Sequence, residues 1–190
     1  WTQISLFYSN FFFPPLIGVY CAFLWRFENF HSCRHTLMTQ PVKLSTIYCS
    51  KYCMVCAITV LTQLWFTVLY LVSGKIVGLP GLPPTDICGW IVRGTIGGFV
   101  IATVQYLVAS VIRNFAIPIA VGLFGGISGL LISNTSAGIY WPYSLMLLGM
   151  NSNKYDDMLS SQLPLFFFFS IFYILLFLLL GIWMLGKNES

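Results

Sequence analysis

Long apolar stretches alternate with short polar connections along this chain of 190 residues. Crossing a bilayer takes roughly 20 mostly apolar residues, because about 30 Å of hydrocarbon is spanned at about 1.5 Å per residue. By that measure, residues 4–25, 52–72, 88–112, 115–132 and 163–185 are predicted transmembrane helices. Pro14-Pro15 interrupts the first and should kink it or delay its regular start. The second carries no charge, and the third carries Arg93 near its start. Periodicity cannot separate helix from strand in runs this apolar. Length can, since barrel strands are about 10 residues long with alternating polarity. The expected fold is all-α and polytopic, one transmembrane domain over residues 1–190.

The connections orient the spans. Residues 26–51 are polar and carry Arg26, Arg34, Lys43 and Lys51. Residues 73–87 are rich in glycine and proline and hold Lys75 and Asp86. Arg113-Asn114 forms a very tight turn. Residues 133–162 are long, with Lys154, Asp156 and Asp157, and their Trp141-Pro142-Tyr143 suits an interfacial or re-entrant segment. Alternation groups Arg26, Arg34, Lys43, Lys51, Arg113 and Lys187 on one side, leaving Lys75 and Lys154 on the other with Arg93 close by. Basic residues collect on the cytoplasmic face, so the C-terminus is expected inside and the first residues outside. Five spans with an outside start, opening on Trp1 with no cleavable signal peptide in view, lead us to expect a further span upstream in a six-span parent.

Composition agrees and narrows the partners. Hydrophobic residues make up 58% and charged residues 7%, against about 25% charged in a soluble domain, so lipid must cover much of the surface. The net charge of +4 is small and scattered, which argues against nucleic acid and reads as a topology signal. Six cysteines do not form a disulfide framework on this topology. Cys33 and Cys49 fall in the cytoplasm, Cys88 stands alone near the outer face, and Cys21, Cys53 and Cys56 lie inside spans.

Catalytic chemistry finds little material. The acids are Glu28, Asp86, Asp156, Asp157 and Glu189, none well inside a span, which argues against a proton relay or a metal-dependent membrane hydrolase. The stretch from Gly181 to Gly186-Lys187 imitates a P-loop, but Asn188 follows where Ser or Thr would hold magnesium, and it ends a span rather than joining strand to helix. In His31-x-Cys33-x-His35, a helix would put the histidines on one face and Cys33 on another, so three-ligand geometry fails. Cys49, Cys53 and Cys56 make one helical stripe of small packing residues, without the context of a redox pair. Gly94-x-x-x-Gly98, Gly122-x-x-x-Gly126 and Gly125-x-x-x-Gly129 predict close helix packing, and a seam able to slide is a second reading. Arg93 either snorkels outward or faces a pore and pairs with Asp86 or substrate.

Two segments resemble a known family. Glu28-Asn29-Phe30 through Gln40-Pro41-Val42-Lys43, closing in Ile47-Tyr48-Cys49-Ser50-Lys51, resembles the ABC-2-type permeases. There a Glu ends one span, a short amphipathic helix and a Pro-Val step follow, and a Lys opens the next. The patch Gln105-Tyr106-Leu107 through Arg113-Asn114-Phe115-Ala116-Ile117-Pro118, with Trp141-Pro142-Tyr143, resembles the lantibiotic-immunity branch of bacteriocin self-protection exporters. Val111-Ile112 departs from the more basic stretch of that branch. The resemblance implies a permease in the bacterial cell membrane that pairs with a sister permease and two copies of a separate ATPase. ATP and magnesium would sit on the ATPase, so this chain would carry no cofactor. It implies an ATPase-coupling helix over residues 28–39, with Arg26, Glu28, Asn29, Arg34, Thr36, Leu37 and Pro41 as coupling residues. Candidates to face a pore or cargo are Arg93, Asp86, Trp141 and Tyr143, the cargo being a peptide antibiotic. An exporter of another cargo (drug, glycan or ion) and a non-transporting membrane scaffold are the alternatives.

Overall fold

The structure is a computed structural model that describes residues 2–29, 44–78, 87–112, 114–152, 157 and 159–187. Among these residues every regular element is a helix: α1 (Thr2–Phe7), a π-helical turn (Tyr8–Phe12), α2 (Phe13–Asn29), α3 (Leu44–Ile76), α4 (Ile87–Val111), α5 (Ala116–Ser133), α6 (Leu145–Gly149) and α7 (Leu163–Lys187), with short 3-10 turns at Gly138–Tyr140 and Ser160–Gln162. Among the described residues, five helical stretches are long and apolar enough to cross a membrane, matching the five expected spans.

The first span does not break at its prolines. Pro14 and Pro15 have no N–H to give to the carbonyls of Asn10 and Phe11, and their rings would clash there in a regular α-helix. The preceding turn widens instead, and Phe13 donates back to Tyr8. A π-bulge thus carries the helix through.

The third helix also departs from expectation. It begins at Leu44, eight residues before the predicted start at Tyr52, and so claims the end of the connection 26–51. No glycine or proline interrupts the sequence from Leu44 until Gly74, so nothing stops the helix there. Its 33 residues make about 50 Å at 1.5 Å each, well beyond the hydrocarbon. Gly78, at φ 70, takes the left-handed turn after its end.

Around α4 the rest assembles: its Gly94, Gly97, Gly98 and Ala102 are buried, and α2, α3, α6 and α7 all pack on it. Outward, α3 and α7 present Leu61, Trp65, Phe168, Leu179 and Trp183, each more than 60% exposed, a surface suited to lipid. Inside, Phe13, Ile17, Tyr48, Tyr52 and Tyr106 form the main core with Met146.

Helices α2 and α5 run antiparallel along a seam of four-residue spacing. A Cβ on Gly122 would lie 2.6 Å from the Pro14 carbonyl oxygen, and one on Gly18 would lie 2.8 Å from that of Pro118. At Gly126 the Asn10 carbonyl, deprived of its donor by Pro14, occupies the space a Cβ would need. In lipid such backbone approach replaces the hydrophobic drive that soluble helices use.

Candidate functional site

Between α5 and α7 the chain folds back into the bundle. Met146 backbone atoms would stand 2.5 Å from a Cβ on Gly97. Gly97 lies ten residues into α4, about 15 Å along it. The segment is therefore re-entrant rather than interfacial, and Leu145, Met146 and Leu147 are fully buried. Gly149 needs its missing side chain too, because a Cβ there would meet the Arg93 carbonyl at 2.7 Å.

Polar groups pin this segment on every side. Arg93 on α4 makes a two-pronged ion pair with Asp157, Nη1 to Oδ1 at 3.2 Å and Nη2 to Oδ2 at 2.8 Å. The Arg93 side chain is 10% exposed and that of Asp157 28%, so the pair bridges the buried bundle and its outer rim. Ser5 and Ser152 share a hydrogen bond of 3.0 Å. Tyr8, in the π-turn, donates to Gln63 Oε1 at 3.1 Å, and Gln63 Nε2 reaches Met150 Sδ at 3.8 Å. The Trp141 ring N–H donates to Ser128 Oγ at 3.1 Å, and the Tyr173 hydroxyl of α7 donates to the Tyr140 carbonyl.

Gln105 joins three elements at once. Its Nε2 donates to the Pro118 carbonyl at 2.9 Å, while its Oε1 accepts from Gly122 N–H at 2.9 Å and from the Tyr143 hydroxyl at 3.1 Å. The reverse amide orientation would leave only a bond from Nε2 to Tyr143 and turn its oxygen on the Pro118 carbonyl, acceptor against acceptor. Pro118 and Gly122 are four apart in α5, so the amide sits on a rung of that helix's own ladder. Tyr143 fits there because Gly125 and Gly129 leave room for its ring and backbone.

The family model for ABC-2 family transporter proteins matches residues 1–129, about two thirds of the chain. The chain belongs to the ABC-2 transporter family. No curated protein and no solved structure matches it. The ABC-2 match ends in α5, so the re-entrant segment lies beyond the matched residues.

On this ABC-2 scaffold the expected site residues separate into two groups. Arg26 lies in the last turn of α2 with its guanidinium 5.6 Å from the centre of the Phe115 ring, where the first span meets the start of α5. Glu28 and Asn29 close α2. Arg34, Thr36, Leu37 and Pro41, like Asp86 and the His31-x-Cys33-x-His35 motif, lie outside the described residues. Arg93 is buried rather than snorkelling, and its described partner is Asp157. Trp141 is 38% exposed at the rim, whereas Tyr143 is 5% exposed and buried against Gln105. The glycine motifs divide their work: Gly122 and Gly126 receive α2, Gly125 and Gly129 receive Tyr143, and Gly94 receives Met150. In the sequence no motif marks Gln63 for a role, and Gln105 stands out only as part of the family patch. Both are amides in mid-span, and an amide in lipid must find partners, which was the available signal.

Proposed function

We propose that this chain is the permease subunit of an ATP-driven exporter, working with a sister permease and a separate ATPase, and that its cargo is a lantibiotic-type peptide expelled from the membrane. Membership of the ABC-2 family is the observation that carries the transport reading. The peptide cargo is supported by the resemblance of the Gln105–Pro118 patch and by a built polar segment at one end of the bundle. In this reading residues 133–162 face outside and the ends of α2 and α7 face the cytoplasm, following the basic-residue asymmetry. The segment after Arg26 docks on the ATPase, with Glu28 at its edge.

A charge at such an edge governs docking and register. Glu28→Lys should therefore lower co-purification of the ATPase from native membranes about five- to thirty-fold, equivalent to roughly 1–2 kcal/mol, while the permease still inserts. Unchanged co-purification and unchanged stimulated ATP hydrolysis would remove this segment as the docking site. Absence of any ATPase with the wild-type chain would remove the exporter reading altogether.

A further inference from the structure

We propose that the cavity at the end of α5 receives a lysine side chain of the cargo peptide. This rests on the peptide-export reading above. The cavity holds about 290 Å³ between the end of α5, the Gly138–Tyr140 turn, α6 and residues 159–162, close to the lower end of the roughly 300–1,000 Å³ range of ligand sites.

The chemistry of its wall selects the occupant. Ser133 Oγ donates its hydrogen to the Leu130 carbonyl at 2.8 Å, and Thr135 Oγ1 donates to that of Ile132 at 2.7 Å. Asn134 Nδ2 donates to Leu130 as well, at 3.1 Å. After those bonds the two hydroxyl oxygens and the Asn134 amide oxygen still have lone pairs to offer an occupant, and the Asn134 amide keeps one N–H. They stand at the C-terminus of an 18-residue helix, where the aligned peptide dipoles favour positive charge. An ammonium brings three donors and no acceptor, which complements this wall. A carboxylate or phosphate brings acceptors only and would set negative charge against these oxygens and the negative end of the helix. The apolar part of the lining, with Leu147 and Leu159, suits the four-carbon stem. Asn151 adds a donor in the same lining, its Nδ2 buried without a partner, and a peptide carries carbonyls to meet it.

Binding is tested on the full chain in nanodiscs of zwitterionic lipid without any ATPase. The probe is a fluorescent acetyl-Leu-Lys-Leu-amide, set against the same peptide with an acetylated lysine, and empty nanodiscs supply the background. Wild type should prefer the free lysine about tenfold, Asn134→Asp should tighten it several-fold, and Asn134→Lys should weaken it about tenfold or more. Asn134 is exposed, so both variants should stay folded, Asn134→Asp with a slightly lower unfolding midpoint because its charge faces the negative end of α5 and its bond to Leu130 is lost. Equal affinity for the acetylated peptide, or unchanged binding by Asn134→Lys, would overturn the assignment. Either result leaves export itself standing, because no ATPase or transport enters the measurement.

Discussion

Replacing Gly122 by alanine sets two effects of known sign against each other. In a helix interior alanine gains about 1 kcal/mol over glycine from backbone entropy. Here the new Cβ would meet the Pro14 carbonyl oxygen at 2.6 Å and the Gln105 amide at 2.9 Å. Ordinary contact begins at 3.4 Å, so α2 and α5 would have to part by about 0.8 Å. A gap of that size forfeits a quarter to a half of each dispersion contact along the seam, and overpacking a tight site costs about 1–3 kcal/mol. The clash wins, for a net loss of up to about 2 kcal/mol. Gly89 and Gly186 are the controls, since a Cβ on either meets nothing within 4 Å; their alanine variants should be neutral or slightly more stable. SDS titration of the detergent-solubilised chain, followed by tryptophan fluorescence, gives the three midpoints. A Gly122→Ala midpoint at or above wild type would refute the seam, as would an equal loss at Gly89→Ala.

Three further outcomes follow from the same contacts. Asp157→Asn should cost about 1–3 kcal/mol, less than the 3–5 of a fully buried pair because Asp157 is partly exposed, and the double variant with Arg93→Gln should recover part of it; strictly additive losses in a double-mutant cycle would deny the coupling. Gln105→Leu should cost about 0.6–1.7 kcal/mol, the range for polar contacts between membrane helices, and an unfolding midpoint equal to wild type would show that the amide holds nothing. On a background without native cysteines, an impermeant thiol reagent should label Ser136→Cys in intact cells and Ser32→Cys only after permeabilisation; the reverse pattern would invert the topology.

The spans were legible because length and apolarity alone define them in lipid. Their details depended on neighbours. Pro14-Pro15 reads as a kink, and only the π-turn, with Gly126 accepting the freed Asn10 carbonyl, shows why the helix continues. In sequence the charge of Lys51 marks a boundary before Tyr52, whereas its ammonium lies 4.6 Å from the centre of the Trp25 ring on α2 and the helix runs through it. Trp141-Pro142-Tyr143 announces a special segment, but its depth is fixed by Gly149 within it and by Gly94 and Gly97, which are distant in sequence. The partner of Arg93 could not be chosen from sequence, since Asp86 is near along the chain and Asp157 is 64 residues away.

The central claim is export driven by ATP, and survival under peptide challenge tests it most directly. A lantibiotic-sensitive strain would express this chain with its sister permease and ATPase, beside a strain whose ATPase binds ATP without hydrolysing it. Pumping against rebinding requires work, so protection should appear in the first strain and vanish in the second. Equal protection in both would make the assembly a binding shield, and would contradict the account.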